Sequence, residues 1–215
     1  MTTRRQILQS AAGAGLTALA PAATAISDTT GSIFLLVHGT WHGGWVWRDV
    51  RRILRSQGHV VFTPTCTGCG EREHLTSPAV GLETHITDIC NVIEFEELDE
   101  VVLVGHSFAG LTITGVADRM RDRISRIVFF DALVPRKGRM AGVTRDPASG
   151  EYPDWWQART KKFLDGYRMV LWEDYPVEML VPPEMTTHVE RLKRLVTPHP
   201  ARLWTDELVL AHDGW

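Results

Sequence analysis

Ser107 is the residue whose setting most directly suggests chemistry. It stands in Val101-Val102-Leu103-Val104-Gly105-His106-Ser107-Phe108-Ala109-Gly110. Four apolar, mostly β-branched residues run without polar interruption, as in a strand buried on both faces, and a helical pattern begins directly after the serine. A strand that turns sharply into a helix at a serine holds the hydroxyl out at the sheet edge and the helix N-terminus. The positions two before and two after must then be small, and Gly105 and Ala109 are. Gly110 follows, where close approach of helix to strand is also possible. Ser107 is therefore a candidate nucleophile. A serine hydroxyl is a poor nucleophile near neutral pH, so a histidine base and an orienting carboxylate are needed beside it.

The elements that must position this residue follow an alternating order. Ser32–Val37 is an apolar run ending in the glycine-rich turn His38-Gly39-Thr40-Trp41-His42-Gly43-Gly44-Trp45. A helix is predicted from Trp47 to Gln57, with Trp47, Val50, Ile53 and Leu54 on its apolar face, and Gly58 stops it. A short strand, Val60–Thr63, ends at Pro64, and residues 65–81 read as a polar loop. Leu82, Ile86, Ile89 and Ile93 recur at helical spacing. After the serine, a helix runs through Leu111, Ile113 and Val116 to about Met120, and Ile127–Phe130 is a strand ending at Asp131. Strands alternating with helices predict an α/β fold with a parallel central sheet covered on both faces. Right-handed crossovers then bring His38-Gly39-Thr40, the loop after Pro64, Ser107 and Asp131 to one sheet edge, where ligands bind in such sheets.

Beyond Arg136 the pattern changes. Residues 136–203 are rich in Pro, Trp and charge, with one helical face (Met185, Val189, Leu192, Val196) starting at Pro182-Pro183. They read as a helical lid inserted after the strand that ends at Asp131. Trp155, Trp156 and Trp172 either line an apolar pocket or only pack the lid. Residues 204–215 read as the start of a return to the core, which itself covers 26–135.

The bulk properties fit one globular domain: 215 residues, 44% apolar, with a formal net charge of −3. Neither nucleic acid nor an anionic membrane is implied as a partner. Arg4-Arg5, the weakly apolar run Ala11–Ala20 and Ala23-Thr24-Ala25 have the order of a twin-arginine signal cleaved near Ile26. The run is too weak to anchor in a membrane, so residues 1–25 predict export to the periplasm or beyond. Cys66-Thr67-Gly68-Cys69 with His74 has zinc-knuckle spacing, but the fourth ligand would fall at Ala79. The three cysteines (Cys66, Cys69, Cys90) are read as loop cysteines without function, and no metal or organic cofactor is implied.

With these stretches in place, the chain resembles the α/β-hydrolase superfamily, in the branch of plant methylesterases, hydroxynitrile lyases and bacterial small-ester hydrolases. The resemblance is carried by Phe34–Trp45, Gly58–Val61, Val102–Gly110 and Phe130–Pro135, about half the chain. It implies that Ser107 attacks a carbonyl while the backbone N–H groups of Thr40 and Phe108 hold the oxyanion. It implies an acid after a later strand. Asp131 is the candidate, with a turn-forming role as the alternative. His106 before the serine matches the esterases rather than the lyases. The family's base histidine follows the last strand, and no residue here matches that motif. His188 and His199 fall in the lid, and His212 lies three residues from Trp215. The expectation is therefore a serine hydrolase of a small carboxylic ester, in a C-terminally incomplete copy lacking its base. The alternatives are a non-catalytic remnant that binds a ligand or partner, or a hydroxynitrile lyase-type carbon–carbon lyase. Oligomeric state is not legible.

Overall fold

The computed structural model describes residues 31–136, 140–173 and 175–212. The proposed signal, residues 1–25, lies outside the described residues. Four parallel strands form the sheet: β1 (Ile33–Val37), β2 (Val60–Phe62), β3 (Val101–Ser107) and β4 (Ile124–Ala132). They lie in the order β2-β1-β3-β4. All pairings are parallel, so the C-terminal ends of β1 and β3 share one edge.

Helix α1 spans Arg48–Ser56, α2 Leu82–Phe95 and α3 Ala109–Arg119. The α2 periodicity does what it predicts: Leu82, Ile86, Ile89 and Ile93 are buried with Leu111, Ile113 and Val116 of α3 in one cluster beneath β1 and β3. Each such side chain contributes roughly 1.5–3 kcal/mol by leaving water. This face of the sheet is where most of the core sits.

The other face is thinner. Leu36, Val61, Val102 and Val104 pack there on Trp47, with Val46 and Leu54 partly buried against them. The apolar stripe predicted for α1 is not fully covered, because Val50 and Ile53 remain 42% and 54% exposed. Strand β4 is longer than its apolar run suggested, and only Ile124 along it is buried. Sheet coverage on both faces therefore holds for β1 and β3 but fails at β4.

After β4 the chain forms α4 (Asp154–Thr160), α5 (Thr186–Leu195) and α6 (Arg202–Thr205). A two-stranded antiparallel pair, β5 (Arg168–Met169) with β6 (His199–Pro200), joins them. Helix α5 begins three residues past Pro183, and only Leu192 on it is buried. Trp156 is buried with Val143, Met169 and Ala201 in a separate small core that also takes in Trp41 and Trp204. That core joins the late segment to the turn after β1.

Candidate active site

The turn at Ser107 is built tightly. Ser107 ends β3 at φ +54°, in the left-handed region that costs an L-residue roughly 1–2 kcal/mol, and α3 starts two residues on. Two close approaches hold it there. A Cβ at Gly39 would stand 2.8 Å from the Ser107 Cβ and 3.0 Å from the His106 Nδ1. A Cβ at Gly110 would overlap the Leu133 carbonyl oxygen. Leu133 N–H in turn donates to the Ser107 carbonyl oxygen at 2.9 Å. Gly110, one place beyond Ala109, is thus where the helix must approach the chain leaving β4. The Ser107 side chain remains half-buried.

Thr40 and Phe108 flank the serine, both 2% exposed. Among the described residues no turn, loop or side-chain hydrogen bond occupies either amide N–H. The Thr40 carbonyl accepts from His42 Nδ1–H at 2.8 Å, and the Thr40 hydroxyl is buried without a partner. Asp131 lies at a bulge: the register passes from His106↔Phe130 to Ser107↔Ala132, so Asp131 is the extra residue beside the serine. It is exposed, at φ +43°. Burial lowers the pKa of His106, and the Asp131 carboxylate opposes that shift.

Among the described residues no histidine hydrogen-bonds to Ser107 or Asp131. His106 faces an aromatic wall formed by Trp47, Phe130 and His42. His38 donates from Nδ1 to the Gly39 carbonyl oxygen (2.9 Å) and accepts the Cys66 N–H at Nε2 (3.1 Å). His188 is exposed on α5. His212 is tied to Asp118 through its own N–H (3.1 Å) and through Nδ1–H to the Asp118 carbonyl (3.1 Å). Asp118 sits near the C-terminal end of α3. At 1.5 Å rise per residue, that is about 15 Å along the helix from its Ser107 end. His212 is therefore not the base in this arrangement.

Three features were not legible in the sequence. Cys66 and Cys69 lie in a loop, as expected, but are 1% and 0% exposed, and burial pushes both thiols up in pKa. Both are free, and Cys69 Sγ lies 3.4 Å from His199 Nδ1. His199 is buried, and burial holds it well below the usual imidazole range, reinforced by His85 and His38. Trp41, at φ +66°, is gripped from the late segment. Its indole N–H donates to the Met169 carbonyl (3.1 Å), and its own carbonyl accepts from Thr197 N–H (3.1 Å). The only signal for such contacts would have been covariation across more than a hundred residues. Of the three tryptophans named as pocket candidates, Trp156 is core. Trp155 lines an open pocket of about 420 Å³ with Ala158, Arg159, Lys162 and Tyr175. Trp172 is 37% exposed. No group of His, Cys, Asp and Glu among the described residues is arranged to hold a metal ion, and no helix among them is long and apolar enough to cross a membrane.

The carbendazim-hydrolysing esterase of Nocardioides sp. (strain SG-4G) is 57% identical over 105 residues, covering 49% of this chain and 43% of that protein. Methylesterase 2 of Arabidopsis thaliana is 34% identical over 137 residues, covering 57% of this chain and 48% of its own. The chain thus spans less than half the length of these relatives. Among solved structures, an extracellular α/β-hydrolase from a Paenibacillus species, described as sharing structural and functional homology with tobacco salicylic acid binding protein 2, superposes with a TM-score of 0.64. It is 26% identical and covers 84% of this chain and 72% of that one. A model of the alpha/beta hydrolase family matches residues 34–215. With a parallel sheet, a serine at a left-handed turn between strand and helix, and that match over most of its length, the chain belongs to the alpha/beta hydrolase family.

Proposed function

We propose that this chain carries the nucleophile and oxyanion-binding part of a serine hydrolase acting on small carboxylic esters. The observation that carries this reading is Ser107 at φ +54° between β3 and α3, with Gly39 packed against it. That geometry supports attack by Oγ on an ester carbonyl. The Thr40 and Phe108 N–H groups, which no turn, loop or side-chain acceptor occupies among the described residues, support binding of the oxyanion that forms. Asp131 is the proposed acid, beside the serine in the bulge. The mechanism requires a histidine base beside Ser107, and none of the described histidines hydrogen-bonds to it. Residues 136–203 are proposed as the lid, and residues 1–25 as a twin-arginine signal that sends the protein to the periplasm or outside the cell.

The similarity to a carbendazim-hydrolysing esterase and to a methylesterase supports an ester substrate and suggests carbendazim as one to try. Without a histidine engaged at Ser107 the rate falls by about 10⁴ or more. Slow p-nitrophenyl acetate hydrolysis is expected, abolished in Ser107→Ala. Turnover that persists in that variant overturns the nucleophile assignment. The missing histidine contact specifically favours a second reading, a non-catalytic chain that binds a ligand in the same pocket. Ester-competable ligand binding with no Ser107-dependent turnover supports that reading.

A further inference from the structure

We propose that His199 is a positioning residue that fixes the oxyanion turn, by accepting the Trp41 N–H while its ring packs against Phe108. The inference rests on the reading of Thr40 and Phe108 as oxyanion donors and adds a residue to it. The Thr40–Trp41 peptide is engaged on both sides. Its carbonyl accepts from His42 at 2.8 Å, and its N–H points to His199 Nδ1 at 3.5 Å. The His199 ring centroid lies 6.2 Å from that of Phe108. One side chain therefore touches both the turn that carries the first donor and the residue that carries the second.

The turn needs such a hold. Trp41 is a bulky residue at φ +66°, a conformation that persists only where the surroundings over-determine it. Its indole and carbonyl are fixed by Met169 and Thr197. The Arg159 guanidinium lies 5.2 Å from its ring centroid and the Tyr175 ring 5.9 Å away. His199 supplies the remaining contact, to the amide itself.

The protonation state follows from the partners. Nδ1 faces the Trp41 N–H and lies 3.4 Å from Cys69 Sγ, whose thiol burial keeps neutral. The Trp41 N–H can only donate, so Nδ1 is unprotonated, the proton sits on Nε2, and the neighbouring Cys69 thiol faces an acceptor. Nε2 is buried without a partner. A phenyl ring in this place would leave the Trp41 N–H without an acceptor, so the acceptor at Nδ1 is what distinguishes imidazole from phenylalanine here.

The test compares His199→Phe, which keeps the ring and removes the acceptor, with His199→Asn, whose Oδ1 can stand in for Nδ1. The probe is a fluorophosphonate, and the readouts are its rate of reaction at Ser107, the thermal midpoint, and Trp41 amide hydrogen exchange. His199→Phe is expected to lower the labelling rate at least tenfold and to expose the Trp41 amide. His199→Asn should recover most of both, at a similar thermal midpoint. Wild-type labelling in His199→Phe, or an Asn variant as slow as Phe, overturns the proposal. If wild-type Ser107 does not react at all, the hydrolase reading fails. The exchange data then decide this one: Trp41 protection unchanged in His199→Phe overturns it, and protection lost in Phe but kept in Asn upholds the positioning contact.

Discussion

At the scale of single residues, the site is shaped by conformations its side chains do not prefer. Ser107 and Trp41 both sit at positive φ, and each is held by groups from elsewhere in the chain. The strain at Ser107 is measurable. Ser107→Gly frees the backbone from a left-handed penalty that Ser107→Ala retains, so the glycine variant should be about 1 kcal/mol more stable than the alanine variant. Both should be inert. Urea unfolding of the pair checks this, and equal midpoints would mean that the turn is unstrained. Ser107, Gly39 and Gly110 were legible because steric demand at a tight turn leaves few residue types possible. Trp41, Cys69 and His199 were not. Their meeting depends on the segment after β4, whose course no local pattern encodes, and a histidine inside a Pro-rich stretch looks the same whether buried or exposed.

Among the elements, α2, β3 and α3 were readable because each buries a periodic face against another. Helix α1 was misjudged at Val50 and Ile53, since periodicity predicts an apolar stripe but not what stands opposite it. Strand β4 carries the clearest consequence. It is a nine-residue edge strand with Phe129 and Phe130 36% and 57% exposed, the kind of long, apolar edge that invites pairing with another chain. Phe129→Lys places a charge on that edge and is expected to raise the monomer fraction of residues 26–215 in light scattering several-fold. Unchanged association would show that β4 is not the sticky edge.

For the molecule as a whole, buried and half-buried histidines set its response to acid. Burial is the leading cause holding His38, His42 and His85 at about 4, and it lowers His106 and His199 as well. In the unfolded chain these groups titrate near 6.5. Between 6.5 and 4 the unfolded state therefore binds more protons, and stability rises with pH across that window. It is fully present above about 6.5 and lost as pH falls toward 4. Three such groups, on the order of 3 kcal/mol each, rival the 5–15 kcal/mol that a domain of this size has in total. Unfolding followed by tryptophan fluorescence is expected between pH 6 and 4. A chain that keeps its cooperative thermal transition at pH 4 would contradict the desolvation of these rings.

Ser107, at the turn from β3 into α3, is the proposed nucleophile. Mass spectrometry after prolonged exposure to a fluorophosphonate tests it most directly. One slowly formed adduct is expected, on the peptide carrying Ser107, absent from Ser107→Ala and suppressed by an ester substrate. An adduct on any other residue, or labelling that survives Ser107→Ala, would contradict it.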